Sequence, residues 1–400
     1  MGALHERTRL RSNLAVLLVG LLAGLGLVAG LAKLLHLDLG GRLQRLRAET
    51  VRPDGAPVAE GVNVQAAETV AYVYDNRCGW KLAPYVQIHR AIGGLFDVRN
   101  RTNSEGFLDR EHALRTDYFR IAFVGDSLTE AQQVDMAQRF SERTEEYVYT
   151  MSQGNKAVEV MNFGTSSWGT AHEYGAIKHF VLKYRPDEVW IFFFSGNDVG
   201  DNSTRLNGPP MGPTYVYAPD GALKDVLFGW TMPPPVTRGE RSRGKAEMDH
   251  TEWDLEVWPF MFTEARSPIM DGILGDTRKI FRLTRDLVAS QGSRLRVVYL
   301  PSGWEINAPL FERSASEWRA RNPSLTDLDA RTPERKISAM MAELGIPFLS
   351  TTPLSLEYGK KMTIDHYSPF GHERIAEVLA KYVLDNCEVP PLATARPDGR

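Results

Sequence analysis

From about residue 118 onward, short apolar runs alternate with longer segments of helical periodicity, and this alternation constrains the fold more than any other feature. Short apolar runs that end in glycine or polar residues are typical of strands buried in a parallel sheet. The predicted strands are residues 119–124, 158–161, 188–194, 295–300 and 346–349, and the predicted helices are residues 138–150, 172–184, 271–290, 333–344 and 371–384. Such alternation predicts an α/β domain in which helices cover both faces of a parallel sheet.

The rest of the chain divides by composition into smaller parts. Residues 199–265 interrupt the alternation with proline clusters and a charged stretch, and so long an irregular stretch is typical of a functional lid or of disorder. Residues 66–117 hold short β-like pieces, which predict a β-rich lead segment. Residues 37–65 are polar and punctuated by glycine and proline, as in a stalk. We therefore assign the α/β domain to residues 118–386 and a disordered tail to residues 387–400.

The N-terminal region contains an apolar run that the average composition hides. Residues 14–32 are 19 residues of Leu, Ala, Val and Gly without a charge, long enough to cross a membrane as a helix. The sequence predicts a cytoplasmic tail over 1–13 and a transmembrane helix or signal anchor over 14–36. The alternative is a cleaved signal peptide, since small residues end the run. Long downstream domains translocate largely regardless of flanking charge, so we expect a single-pass protein of the inner (plasma) membrane with its body periplasmic or extracellular, or a secreted protein after cleavage.

Charge and cysteine content exclude several classes of protein. The 47 basic and 50 acidic residues nearly cancel, which leaves no electrostatic footprint for nucleic acid. The two cysteines, Cys78 and Cys387, are too few for a disulfide scaffold, a cysteine zinc site or an iron–sulfur cluster. In an oxidising compartment they could form a disulfide with each other, and two unrelated buried thiols are the alternative. No zinc-ligand spacing and no nucleotide fingerprint occurs, so neither a metal nor a cofactor is expected.

Polar and glycine residues follow the predicted strands where a ligand would bind, at the carboxyl ends of the strands. These stretches are Gly125-Asp126-Ser127-Leu128, Asn162-Phe163-Gly164, Gly196-Asn197-Asp198 and, before the last helix, Asp365-His366. A serine hydroxyl needs a base to act as a nucleophile, and His366 is placed to be the base of Ser127. The oxyanion of acyl attack needs preorganised donors. The backbone N–H groups of Ser127 and Gly164 and the amide of Asn197 are the candidates.

These four blocks, in this order, resemble the SGNH hydrolases, also called the GDSL family. The resemblance covers roughly residues 118–385, about two-thirds of the chain. It implies a flavodoxin-like three-layer fold and a serine mechanism without a cofactor. It also implies Ser127 as nucleophile, His366 as base, and Gly164 and Asn197 as oxyanion donors beside the N–H of Ser127.

The sequence departs from the family pattern at the catalytic acid. The family places its aspartate three, sometimes two, residues before the histidine, and here those positions hold Thr363 and Ile364. Asp365 is adjacent to His366 instead. Neighbouring side chains on an extended backbone point to opposite sides, so Asp365 can orient His366 only if the loop bends. We predict Asp365 as the third member of the triad, with a backbone carbonyl or a distant carboxylate as the alternative.

Together these features predict a membrane-anchored serine esterase that acts on an acyl ester, most simply an acetyl ester, of a cell-envelope carbohydrate or lipid. An O-acetyltransferase of an envelope polysaccharide would use the same triad and differ only in the acceptor. A non-catalytic envelope binding or assembly protein that kept the fold is the third hypothesis, and the placement of Asp365 is its support. The sequence carries no signal for the oligomeric state.

Overall fold

The structure is a computed structural model that describes residues 72–92, 96–203, 212–228, 257–363 and 366–392. The predicted tail, membrane segment and stalk over residues 1–65 lie outside these ranges, and so does Asp365. None of the helices in the described ranges is long and apolar enough to cross a membrane.

Strands and helices alternate through the described residues as the sequence predicts. The strands are β1 Tyr72–Asp75, β2 Gly79–Leu82, β3 Gln87–Ile92, β4 Phe96–Arg101, β5 Phe119–Gly125, β6 Val158–Gly164, β7 Glu188–Phe194, β8 Thr214–Tyr217, β9 Leu223–Leu227, β10 Arg294–Leu300 and β11 Phe348–Ser350. The helices are α1 Ser127–Glu130, α2 Phe140–Met151, α3 Thr170–Ala176, α4 Asp198–Asp201, α5 Trp258–Met261, α6 Pro268–Ser290, α7 Gly303–Ile306, α8 Ala308–Arg321, α9 Thr332–Leu344, α10 Thr352–Tyr358 and α11 Pro369–Asn386. A π-helical turn and a 3₁₀ turn extend α3 to Tyr184.

The central sheet of the described residues has five parallel strands in the order β11-β10-β7-β5-β6. Numbered along the chain, this is the order 2-1-3-4-5 of a flavodoxin-like doubly wound sheet. The predicted fold is therefore confirmed for the α/β domain. In this topology the carboxyl ends of β5, β6 and β7 meet at one edge, where the chain carries its polar motifs.

Two hydrophobic clusters fill the two faces of the sheet. Along β5, Ala122 and Val124 belong to one cluster and Ile121 and Phe123 to the other, because successive residues of a strand point to opposite faces. Residues of α3, α6 and α9 complete the first cluster, and residues of α2 and α11 complete the second. The result is three layers, helix–sheet–helix, as the resemblance implies.

Local sequence signals set the ends of the long helices. Ser267 accepts a hydrogen bond from the N–H of Met270 at the start of α6, and Ser368 accepts one from Gly371 at the start of α11. Both serines precede a proline, whose missing N–H is tolerated in the first turn. Gly345, with φ of 67°, ends α9 in the left-handed conformation that glycine favours.

The predicted β-rich lead forms two antiparallel hairpins, β1–β2 and β3–β4, in its described part. Its side chains reach the carboxyl edge of the central sheet. The indole of Trp80 donates to the carbonyl of Ser166 at 3.0 Å, and the indole of Trp168 donates to the carbonyl of Trp80 at 2.8 Å. The lead therefore contacts the loop that follows β6.

The predicted insertion has regular structure in its described part. Strands β8 and β9 pair as an antiparallel hairpin, and Phe228 after β9 stacks on His172 of α3 with 4.8 Å between ring centroids. Trp258 of α5 packs against Trp304 at 5.5 Å between centroids. Phe228 and Trp258, two aromatic side chains of the insertion, therefore serve packing.

Of the two alternatives for the cysteines, the disulfide is wrong. Cys78 and Cys387 are free buried thiols, not a disulfide. Cys78 belongs to the hydrophobic cluster on one face of the sheet and Cys387 to the cluster on the other, so the sheet separates them. Of the predicted disordered tail over 387–400, residues 393–400 lie outside the described ranges; in the described part Pro391 bridges Lys156 and the N–H of Leu392 donates to the carbonyl of Asn155 at 2.7 Å.

Candidate active site

Ser127 stands at a sharp strand-to-helix turn. Strand β5 ends at Gly125, and Asp126 caps α1 by accepting a hydrogen bond from the N–H of Leu128 at 2.9 Å. Ser127 is the first residue of α1 and is half-buried. Its own N–H enters no hydrogen bond among the described residues. The turn therefore presents both the hydroxyl and the N–H of Ser127 at the carboxyl edge of the sheet.

His366 approaches Ser127 from the far end of the domain. Its Nε2 atom lies 2.7 Å from Oγ of Ser127. Thr363 and Tyr367 pair as an isolated antiparallel bridge, and the N–H of Ser368 donates to the carbonyl of Met362 at 2.8 Å. The chain thus reverses direction between Thr363 and Tyr367. The reversal brings the histidine to the serine, as the sequence predicts.

Gly164 is at the predicted place but its N–H is not available to a substrate. A Cβ on Gly164 would lie 2.2 Å from the backbone nitrogen of Glu130, so only glycine permits this approach of β6 to α1. The N–H of Gly164 donates to Oδ1 of Asn162 at 2.9 Å. The prediction of Gly164 as an oxyanion donor is wrong in this geometry. Its role is close packing beside the nucleophile.

Ser167, in the next turn of the same loop, is a residue that sequence reasoning missed. The surrounding N–H groups all have acceptors, namely Gly125 O for Thr165, Glu130 Oε2 for Ser166, Thr165 O for Trp168 and His172 Nδ1 for Gly169. The N–H of Ser167 enters no hydrogen bond among the described residues. Its φ of 62° is uncommon for a residue with a side chain. A serine gives no sequence signal for such a conformation.

Asn197 caps α4 across from this loop. Its Nδ2 donates to Oδ2 of Asp201 at 2.7 Å and lies 3.5 Å from the carbonyl of Trp168. The first contact is a full hydrogen bond, and the second is at the limit for one. One amide proton of Asn197 is thus firmly held and the other only weakly, which leaves a donor at the edge where Ser127 lies.

Three buried carboxyl groups lie beneath this edge. Burial raises the pKa of Asp126 to about 7, although the N–H of Leu128 and the nearby His366 lower it. Burial, and then the charge of Asp126, raises the pKa of Glu173 well above its usual range. Burial, and then the charge of Glu173, does the same for Asp198. Oδ2 of Asp198 accepts the N–H of Phe194 at 2.8 Å.

Asp126 and Asp198 therefore cap turns, and a cluster of buried acids here favours neutral forms. Within the described residues, no three or more His, Cys, Asp or Glu side chains are arranged to hold a metal ion.

His372, a further histidine near this edge, is not a base. It is fully buried, its Nδ1 accepts the N–H of Phe140 at 3.2 Å, and its ring stacks on that of Phe140. Burial lowers the pKa of His372 to about 3, and the charge of Arg139 adds to this. The residue is a neutral packing and capping group.

An open pocket of about 910 Å³ lies at the opposite edge of the sheet. It is lined by the first residues of β5, β7 and β10, including Arg120, Glu188 and Arg294. Its lining contains neither Ser127 nor His366, and neither Ser167 nor Asn197. The chemistry is therefore assigned by the Ser127–His366 geometry and not by this pocket.

No protein-family model matches the chain, and no curated protein matches its sequence. Solved structures do resemble it. A protein from Desulfitobacterium hafniense DCB-2 assigned to the G-D-S-L lipolytic family is 13% identical over 66% of this chain and 98% of its own, with a TM-score of 0.34. A lipase/acylhydrolase from Enterococcus faecalis is 13% identical over 69% and 99%, with a TM-score of 0.38. The acetyl xylan esterase AlAXEase is 14% identical over 66% and 99%, also with a TM-score of 0.38.

The likeness is one of backbone at low identity, so we base the function on the side chains of this chain.

Proposed function

We propose that this chain is a serine ester hydrolase of the SGNH type. The observation that carries the proposal is the 2.7 Å distance between Nε2 of His366 and Oγ of Ser127. A histidine at this distance can accept the proton of the serine as the oxygen attacks a carbonyl carbon. Both side chains are half-buried at the carboxyl edge of the sheet, within reach of a substrate.

The reaction follows from the groups around this pair. Oγ of Ser127 attacks the ester carbonyl while its proton passes to Nε2 of His366. The N–H groups of Ser127 and Ser167 and the weakly held proton of Asn197 stabilise the oxyanion. His366 then protonates the leaving alkoxide, which gives an acyl-enzyme. A water molecule, deprotonated by His366, releases the acid and restores the serine.

Asp365 is the proposed orienting acid, and its placement rests on the sequence and on its described neighbours. The antiparallel bridge between Thr363 and Tyr367 supports it, because it brings together the two residues on either side of the Asp365-His366 stretch. Asp365→Asn should lower kcat by about 10⁴-fold, because an amide favours the wrong imidazole tautomer. An unchanged kcat would assign the orienting role to another group.

The proposed substrate is an acyl ester, in the simplest case an acetyl ester, of an envelope carbohydrate or lipid. The support is the uncharged apolar run of residues 14–32, which favours a membrane anchor and an exported body. An enzyme that is anchored in the membrane with its body exported has access to the esters of the cell envelope. Fractionation of cells that express the full chain, with protease accessibility of the body, tests the location.

Ser127→Ala in the purified protein, with p-nitrophenyl acetate as substrate, tests the hydrolase. We expect turnover and labelling by a fluorophosphonate probe to be lost. The matched control is Ser316→Ala, which removes an exposed hydroxyl on α8 and should change neither. Undiminished turnover in Ser127→Ala would sink the proposal.

A further inference from the structure

Glu130 is a buried carboxylate at the end of the helix that begins with Ser127. Its side chain has no solvent exposure. It accepts hydrogen bonds from the hydroxyl of Tyr72 at 3.0 Å, from Nε2 of Gln132 at 2.9 Å and from the N–H of Ser166 at 3.1 Å. The hydroxyl of Ser166 donates to the same carboxylate. So many donors on one buried carboxyl group fix the position of every segment that supplies them.

The segment held most directly is the loop after β6. Ser166 gives Glu130 both its N–H and its hydroxyl, and the next residue is Ser167, whose N–H has no acceptor among the described residues. Two residues before Ser166, Gly164 lies against the backbone of Glu130. Glu130 therefore sets the position of the Ser167 N–H relative to α1, the helix that begins with Ser127.

The β-rich lead holds the same loop from the other side. Tyr72 of β1 donates a hydrogen bond to Glu130. Trp80 of β2 donates one to the carbonyl of Ser166 and accepts one from the indole of Trp168. The β1–β2 hairpin thus contacts the carboxylate and the loop at three points. The β-rich lead therefore helps to hold the active site in place, although it precedes all four sequence blocks in the chain.

We propose that Glu130 is a positioning residue, which with Tyr72 holds the loop 165–168 so that the N–H of Ser167 serves the oxyanion formed on Ser127. The inference rests on the proposed function, since it assigns the source of one oxyanion donor. It predicts that weakening this contact affects the transition state more than substrate binding, because the oxyanion exists only after attack.

Kinetics of Glu130→Gln and Tyr72→Phe test the inference with p-nitrophenyl acetate. Glutamine has one acceptor oxygen, so it cannot accept from all the donors. We expect kcat to fall about 10- to 100-fold in Glu130→Gln and severalfold in Tyr72→Phe, with KM within about twofold. Titration with a fluorophosphonate counts competent sites, so that a misfolded fraction does not count as a loss of kcat.

The matched control is Tyr74→Phe. Tyr74 is on the same strand, but its hydroxyl donates to the carbonyl of Phe228 and not to Glu130. We expect its kcat to match that of the parent protein. A folded Glu130→Gln protein with unchanged kcat, or a Tyr74→Phe protein that loses as much as Tyr72→Phe, overturns the inference.

Hydrogen exchange separates this inference from the proposed function. We expect the amides of residues 165–168 to exchange faster in Glu130→Gln than in Tyr74→Phe. If the parent protein hydrolyses no ester but this difference is seen, the esterase proposal fails while the positioning by Glu130 is supported. If exchange is unchanged in an active protein, the positioning role is wrong and the esterase stands.

Discussion

Nε2 of His366 lies 2.7 Å from Oγ of Ser127, although the two residues are 239 positions apart in the chain. Ser127 begins the first helix of the α/β domain, and His366 precedes the last. The contact therefore exists only when the whole sheet has formed between them. A catalytic pair built this way ties activity to the integrity of the domain.

His366→Asn should lower kcat by about 10³- to 10⁴-fold, because the serine loses its base while the oxyanion donors remain. His179→Asn is the control, since the side chain of His179 is exposed. The double variant Ser127→Ala/His366→Asn should be no slower than either single variant, since the two residues act as a unit. Additive losses in ester hydrolysis would contradict the pairing.

Gly164→Ala should be destabilising and inactivating. The added methyl would meet the backbone of Glu130 at 2.2 Å, and backbone atoms of a packed helix cannot move aside without shifting Ser127. We expect a loss of about 3 kcal/mol in urea unfolding and of most ester turnover. Gly272→Ala is the control, because nothing lies near its Cβ position within α6. It should gain about 0.8 kcal/mol from helix propensity, and equal effects at the two glycines would contradict this account.

The sequence was sufficient for the parts of the fold that depend on local pattern. Apolar runs predict the five central strands because burial on both faces demands them, and Ser127, Asn197 and His366 follow from their places after strands or before the last helix. These predictions concern the type of secondary structure that a segment forms and the residue at which it ends. Short stretches of sequence determine both.

Relationships across the fold were beyond the sequence. Nothing near Cys78 or Cys387 says that a sheet separates them. The acceptor that takes the N–H of Gly164 is a side chain two residues away, whose rotamer depends on the packing of α1. Ser167 has a left-handed backbone, and its neighbour Ser166 is bonded to Glu130 from another segment, so a tertiary contact beside Ser167 is what local sequence does not show.

Both cysteines should titrate as free thiols once the protein is unfolded. Burial raises the pKa of the Cys78 thiol well above its usual range and that of Cys387 to about 12, so little thiolate forms in the native protein. We expect no reaction with Ellman's reagent under native conditions and two thiols in guanidinium without a reductant. Prior reduction is the control and should not change the count. If no thiol reacts in guanidinium before reduction, the two cysteines form a disulfide after all.

His112 should make stability depend on pH near neutrality. It is bonded to Asp109 at 2.9 Å and to Glu159 at 2.6 Å. Burial lowers the pKa of His112, but the two carboxylates outweigh it and raise the pKa above its ordinary value. A raised histidine pKa means that the stabilisation is complete below about pH 6.5 and is lost as pH rises through the folded-state pKa.

His112→Gln should lower the free energy of unfolding in urea by about 2 kcal/mol at pH 6 and by less at pH 9. His89→Gln, which breaks the exposed pair with Asp97, is the control and should cost little at either pH. If His112→Gln lowers the free energy of unfolding equally at pH 6 and pH 9, His112 stabilises the fold by packing as a neutral ring and not by its charge.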